Sequence, residues 1–352
     1  MGGSIGVGLL GLVLSVTAQC SLSPGDSNYR IDVHSHAVPD VWRAALVQAG
    51  YPVKNGTLYT DGFPVSNWTL EGHLEAMTAN SVNYTTLSIS APGVTFLAHD
   101  ATKAKNLARK VNLAMHQYTQ QHPEKLGAMC LLPLPHVKGA IAEIKFCLDT
   151  LGFDGVGMYT NSNGTYLGDS SLDPIFELLQ ERNATVFVHP AAPGCESAGM
   201  GWPSPMTEYP FDSVRAMENM LLSGQRASYP NVTMIFPHGG GAMPYLATRI
   251  AGMSSLPFLG GLSVPESLAQ LAGYYFDTAS ATSAIQLNAM KSFIGIDRIL
   301  IGTDYPYVPV AQSEPALAAI QTNGNFTSTE MAQINSKNTL SVFPRISAKL
   351  GW

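Results

Sequence analysis

Eight short apolar runs, each closed by turn residues and most followed by a stretch with helical spacing, constrain this chain more than any other feature. They cover residues 31–35, 82–90, 126–134, 153–159, 185–189, 232–237, 273–277 and 298–303. The runs are dense in Val, Ile, Leu, Phe and Tyr rather than strictly alternating, the pattern of parallel strands covered on their outer face by helices. Between them, residues 98–121, 140–151, 172–182, 212–229 and 284–293 place apolar side chains at helical intervals. Parallel strands need a crossover helix, so the alternation gives an α/β fold. Eight units predict a closed (β/α)8 TIM barrel. An open doubly wound sheet is the competing topology. It announces itself with a glycine-rich phosphate loop after its first strand, where this chain has His34-Ser35-His36. With 352 residues, 45% apolar and 12% charged, the chain can bury one large core, and residues 19–352 are expected as one domain. Segment 41–70 carries prolines, glycines and no clear period, and is expected as a long loop over the barrel mouth.

The first 18 residues look like a secretory signal peptide: an apolar run from Ile5 to Val16, too short to span a bilayer, precedes the small residues of Val16-Thr17-Ala18. Sequons at Asn55, Asn67, Asn83, Asn163, Asn183, Asn231 and Asn325 are the expected glycosylation acceptors. Asn83, Asn183 and Asn231 fall just before expected strands, on the barrel face opposite catalytic loops. A secreted or vesicular protein follows, with no stable membrane span after signal cleavage. Cys20, Cys130, Cys147 and Cys195 permit two disulfides in any of three connectivities. Cys130 in an expected strand and Cys147 on the next helix can meet, or can equally stand as buried thiols. A net charge of −6 with scattered basic residues argues against nucleic acid or an anionic membrane surface as partner.

Barrels place their chemistry at the C-terminal ends of strands. His34 and His36 are two apart on an extended segment, so both imidazoles face one side. The run 185–188 ends in His189, the run 232–237 in His238 before Gly239-Gly240-Gly241, and the last run in Asp304. Imidazoles and a carboxylate converging on one rim suit a divalent cation, with zinc first and manganese second. Each residue also has a structural reading: a strand cap for His189, a turn residue for Asp304, a tight glycine turn around His238. Trp68, Ser90, Asp212 and Arg215 are candidate substrate contacts at the mouth. His73, His99, His116, His122 and His136 lack strand-end context and are expected to be structural or solvated.

The stretches 31–36, 87–93, 107–112, 132–135, 160–169, 186–190, 236–241 and 301–306 resemble, in this order, those of the amidohydrolase family that contains aminocarboxymuconate-semialdehyde decarboxylase and the aromatic-acid decarboxylases. The 6-methylsalicylate decarboxylase branch is most similar. The resemblance implies a distorted (β/α)8 barrel of the metal-dependent amidohydrolase type and a homodimer. It also implies His34, His36, His189 and Asp304 as metal ligands and His238, with Asp304, as catalytic acid/base. Resorcylate-type relatives often place Glu where His34 stands and a Glu after the later His, where this chain has glycine. The implied activity is non-oxidative decarboxylation of a salicylate-type acid, 6-methylsalicylate to m-cresol, in fungal-type secondary metabolism. Two other expectations stand beside it: a hydrolase of a lactone or amide using metal-bound water with His238 as general base, and a secreted barrel that binds without catalysing.

Overall fold

The computed structural model describes residues 1–2, 22–194 and 199–352. The leader segment beyond residue 2, Cys20 and Cys195 lie outside the described residues. All eight expected strands are present: β1 Ile31–His36, β2 Tyr84–Ser88, β3 Leu126–Leu131, β4 Gly155–Tyr159, β5 Thr185–His189, β6 Thr233–Phe236, β7 Tyr275–Asp277 and β8 Ile299–Leu300. They pair in sequence order, every pair parallel. Parallel bridges from Asp32 to Ile301 and from Ser35 to Tyr305 return the sheet to β1. The amide of Val33 donates to the carbonyl of Ile301 at 2.9 Å, so the barrel closes.

Every residue of β1, β2, β3 and β5 is buried, as strands sandwiched between a filled lumen and a helical ring must be. Ile31, Val33, Tyr84, Met129, Phe187, Ile235 and Leu300 form the lower interior layer, packed on Leu340, Phe343 and Ile346 of the last helices, which plug the N-terminal end. The larger apolar cluster lies between strands and outer helices. In β1, three steps from Asp32 to Ser35 match two steps from Thr85 to Leu87, a bulge that re-aims the strand end carrying the histidines.

Segment 41–70 differs from the expected loop. It holds the helix Asp40–Gln48 and an antiparallel sheet of Val53–Lys54, Thr57–Thr60 and Phe63–Pro64. Asn55-Gly56 and Asp61-Gly62 supply the two turns, all four residues at positive φ (50°, 79°, 50° and 78°). Such two-residue turns match the right-handed strand twist. The helix expected over 212–229 starts eight residues earlier, as Ser204–Leu222, because Pro205 sits in its first turn, where no amide partner is needed. Cys130 and Cys147 are buried free thiols, not a disulfide. Burial pushes the Cys130 thiol well above its ordinary pKa. No described helix is long and apolar enough to cross a membrane.

Candidate metal centre

Four strands deliver five polar side chains to one rim: His34 and His36 end β1, His189 ends β5, His238 follows β6 and Asp304 follows β8. His34 and His36 are fully buried, whereas Asp304 and His238 keep 13% and 15% of their side-chain surface, in the wall of a cavity. Nε2 of His34 lies 3.1 Å from Nε2 of His36. Oδ1 of Asp304 is 3.3 and 3.2 Å from the two. One ligand atom from each of His34, His189, His238 and Asp304 falls within 4.8 Å of the others, a cluster able to hold a metal ion. That group takes in His238, expected beside an ion rather than on it, and His36 joins it through His34 and Asp304.

The hydrogen bonds on the far side of each ring fix which nitrogen faces inward. His34 Nδ1 meets Asp277 Oδ2 at 2.9 Å, and His189 Nδ1 meets the Pro190 carbonyl at 2.7 Å. Carboxylates and carbonyls only accept, so both Nδ1 atoms carry hydrogen. Ser88 Oγ is 2.9 Å from His36 Nδ1 but already donates to the Ser35 carbonyl at 2.9 Å, so it accepts from His36. All three imidazoles therefore present a bare Nε2. Two such lone pairs 3.1 Å apart repel each other, yet that is close to the roughly 3.3 Å between two nitrogens bound at about 2.0–2.1 Å to one tetrahedral ion. The residues fit a divalent cation.

The electrostatics agree. Burial disfavours charge on His34, but Asp277 and Asp304 outweigh it and raise its pKa to about 10. A divalent ion neutralises the same excess of negative charge. Burial lowers His36 to about 4 and His189 well below its ordinary value, leaving both as neutral ligands at neutral pH. Burial pushes the Asp304 carboxyl up, but positive charge on His34 and the imidazoles of His238, His34 and His36 around it hold it well below the usual carboxylate range.

Local backbone chemistry explains the glycines and the strain. His238 and Asp304 both adopt left-handed backbone, with φ of 56° and 60°, a cost that surrounding contacts must offset. His238 N donates to Asp277 Oδ1 at 3.0 Å, and Asp304 N donates to the His34 carbonyl at 2.8 Å. At Gly240 a Cβ would sit 2.4 Å from the Phe276 ring, and at Gly241 2.3 Å from the Pro210 carbonyl, so this turn packs where no side chain fits. Beneath the rim, Asp32 accepts from His34 N at 2.9 Å, Thr303 N at 3.1 Å and Thr303 Oγ1 at 2.6 Å, buckling the first strand to the last.

A cavity of about 520 Å³ opens above the cluster. Its walls include Thr60 and Phe63 of the small sheet, Ser90, Met206, Tyr209 and Tyr307. Of the four residues expected as substrate contacts, Ser90 lines it; Trp68, Asp212 and Arg215 do not. Trp68 Nε1 donates to His73 Nδ1 at 3.0 Å and its ring packs on Tyr118. Asp212 is fully buried and saturated by Thr160, Asn161 and Tyr166. Arg215, 44% exposed, pairs with Asp212 and Glu208. The residues missed by sequence reasoning are Asp277, Ser88, Tyr209 and Tyr307. Asp277 had a usable signal, a carboxylate closing the seventh apolar run.

A closed parallel barrel with imidazoles and a carboxylate gathered at its C-terminal rim defines a metal-dependent barrel enzyme. The amidohydrolase family profile matches residues 31–345, and the chain belongs to that family. Among relatives, the 6-methylsalicylic acid decarboxylase of Penicillium expansum is 32% identical over 91% of this chain and 98% of its own length. The 6-methylsalicylic acid decarboxylase acuB of Aspergillus aculeatus is 34% identical over 80% and 85%. The fold is shared with a crystal structure of amidohydrolase II, at a TM-score of 0.82, 28% identity and coverage of 90% and 99%. It is shared also with a manganese-bound dihydroxybenzoic acid decarboxylase from Polaromonas, at 0.74, 19%, 90% and 97%. With its rim cluster and these relatives, the chain is an enzyme of the carboxy-lyase class, a metal-dependent decarboxylase of aromatic acids.

Proposed function

We propose that the chain decarboxylates a salicylate-type acid, 6-methylsalicylate to m-cresol being the reaction we assign first, in fungal-type secondary metabolism. The observation that carries the reading is the set of three inward-facing Nε2 atoms and one carboxylate beneath a partly apolar cavity of about 520 Å³, together with two named relatives of that activity. His34, His36 and His189 through Nε2, with Asp304, would hold the ion. Zinc is the first assignment from the ligand set, and manganese the second. When bound, the ion supplies positive charge that holds the substrate's carboxylate and neighbouring phenolic oxygen.

The remaining work falls to the chain. Ser90 and the cavity wall orient the ring and exclude water. Asp304 Oδ2, 3.5 Å from His238 Nε2, takes a proton from His238 and passes it to the ring carbon that bears the carboxylate. The carbon–carboxylate bond then breaks, its electron pair restores the aromatic ring, and carbon dioxide leaves. The ring carbon gains a proton in place of carbon dioxide, so no redox partner is required. Purified protein loaded with Zn²⁺ or Mn²⁺ and given 6-methylsalicylate should release carbon dioxide and m-cresol. Turnover of lactones or amides with no carbon dioxide from any hydroxybenzoic acid would overturn the assignment.

We further propose secretion through residues 1–18, glycans on the seven sequon asparagines and a homodimer. Asn55, Asn67, Asn163, Asn183, Asn231 and Asn325 are exposed, while Asn83 is half-buried and accepts from Arg30 N at 2.9 Å. Glycosidase treatment and light scattering of protein from a secreting host test these assignments.

A further inference from the structure

Tyr307 is a cavity residue whose hydroxyl lies near Ser90 without completing a hydrogen bond. Its oxygen is buried and meets no hydrogen-bond partner, although its ring is held firmly: edge-on to His36, with centroids 5.4 Å apart, and tilted against Phe63 at 6.2 Å. The other tyrosine of the cavity, Tyr209, is already engaged, donating to Asp61 at 2.7 Å. A buried hydroxyl without a partner is destabilising unless something completes it, and the residue that carries it lines the cavity beside the metal centre. A phenol is protonated at neutral pH, so the hydroxyl serves as a donor.

The charge around it is as informative. Among the described lining residues there is no lysine or arginine. Away from Asp304, His189 and His238, the polar groups in the wall are neutral, such as Ser90, Gln286 and Gln312, and the apolar ones include Phe63 and Met206. A first carboxylate meets the metal centre, but a second would be desolvated against a wall that holds no lysine or arginine of its own, which disfavours binding.

We propose that Tyr307 is a specificity-determining residue, whose hydroxyl donates to an oxygen of the bound aromatic acid, in a cavity that takes singly charged acids with apolar ring substituents. The inference rests on the decarboxylase reading for its ligand class. A neutral donor suits this place because it adds direction without adding charge. It recognises an acidic oxygen while leaving the rest of the ring in an uncharged wall.

The test is equilibrium binding to the metal-loaded protein, with salicylate, benzoate, 3-methylbenzoate and isophthalate as probes, beside carbon dioxide release by the unmutated enzyme. Tyr307→Phe should weaken salicylate roughly 10- to 100-fold, the range for a hydrogen bond to a charged acceptor, with its melting temperature unchanged. Benzoate weakened equally places the bond on the carboxylate; benzoate unaffected places it on the ortho-hydroxyl. Both results support the inference, and unchanged affinity for both acids overturns it. In the unmutated protein, isophthalate should bind at least about 10-fold more weakly than 3-methylbenzoate. Equal or tighter binding overturns the single-charge rule without any mutant. Aromatic acids that bind as described but never lose carbon dioxide refute the decarboxylase reading and leave Tyr307 assigned. Normal turnover with a silent Tyr307→Phe does the reverse.

Discussion

Replacing Asp277 with Asn should weaken metal binding without unfolding the barrel. In the native chain, Oδ2 of Asp277 accepts from His34 Nδ1 at 2.9 Å while Oδ1 accepts from the amides of His238 and Ala279, each at 3.0 Å. An asparagine can keep its carbonyl oxygen toward the two amides, preserving the turn, but its NH2 then faces the Nδ1 hydrogen of His34. Two donors cannot share that contact. The imidazole escapes by shifting its proton to Nε2, which removes the lone pair that faces the cluster. His34 and Asp277 are both fully buried, so water offers no relief. Loss of a partner that orients a metal-ligating histidine typically costs 10- to 100-fold in affinity, about 1.4 to 2.8 kcal/mol. Competition against a graded chelator, with circular dichroism as the folding control, measures this directly. A folded Asp277→Asn protein that holds its ion as tightly as the native one would refute the tautomer reasoning, and with it the inward-facing Nε2 of His34.

Other outcomes follow from the same geometry. His189→Ala should lose both metal and turnover, whereas His238→Ala should keep metal and lose about 10²- to 10⁴-fold in rate; metal analysis beside carbon dioxide release separates them, and retained turnover in either removes its role. Gly240→Ala puts a Cβ 2.4–2.6 Å from the Phe276 ring at a φ of 73°. The left-handed backbone and the overpacking together should cost about 2–5 kcal/mol, and an unchanged melting temperature would contradict that. His73 is buried neutral, its pKa lowered by burial to about 3 from 6.5, so it gains a proton on unfolding. Its contribution is complete above pH 6.5 and is lost as pH falls toward 3, by up to about 1.4 kcal/mol per unit. His73→Leu should therefore show a shallower acid decline in urea-melt stability than the native chain.

The barrel was legible because its strands are short, apolar and separated by helical spacing, and the five rim residues were legible because each stands at the end of such a run. What stayed hidden depends on contacts across long separations. Asp277 looks like any strand terminus until His34, 243 residues away, is seen against it. Asp212 and Arg215 read as mouth residues because they are polar and near the expected helix start, but Thr160, Asn161 and Tyr166 had already claimed the carboxylate. Asn55-Gly56 and Asp61-Gly62 were visible as hairpin signals. Flanking prolines and glycines blur the alternation of strands only two to four residues long. Tyr307 follows a recognisable Gly-Thr-Asp-Tyr-Pro stretch, yet nothing in sequence tells an idle hydroxyl from a paired one.

The buckle between Asp32 and Thr303 joins residues 271 apart, and the partners it aligns, His34 and Asp304, are made early and late in synthesis. On the ribosome, the growing polypeptide can hold three of its imidazoles for a long interval with no carboxylate to complete them. The ligand set is complete only once the stretch around residue 304 has cleared the exit tunnel. Completion of the centre thus belongs to the last stage of folding, and an unfinished chain carries no working active centre.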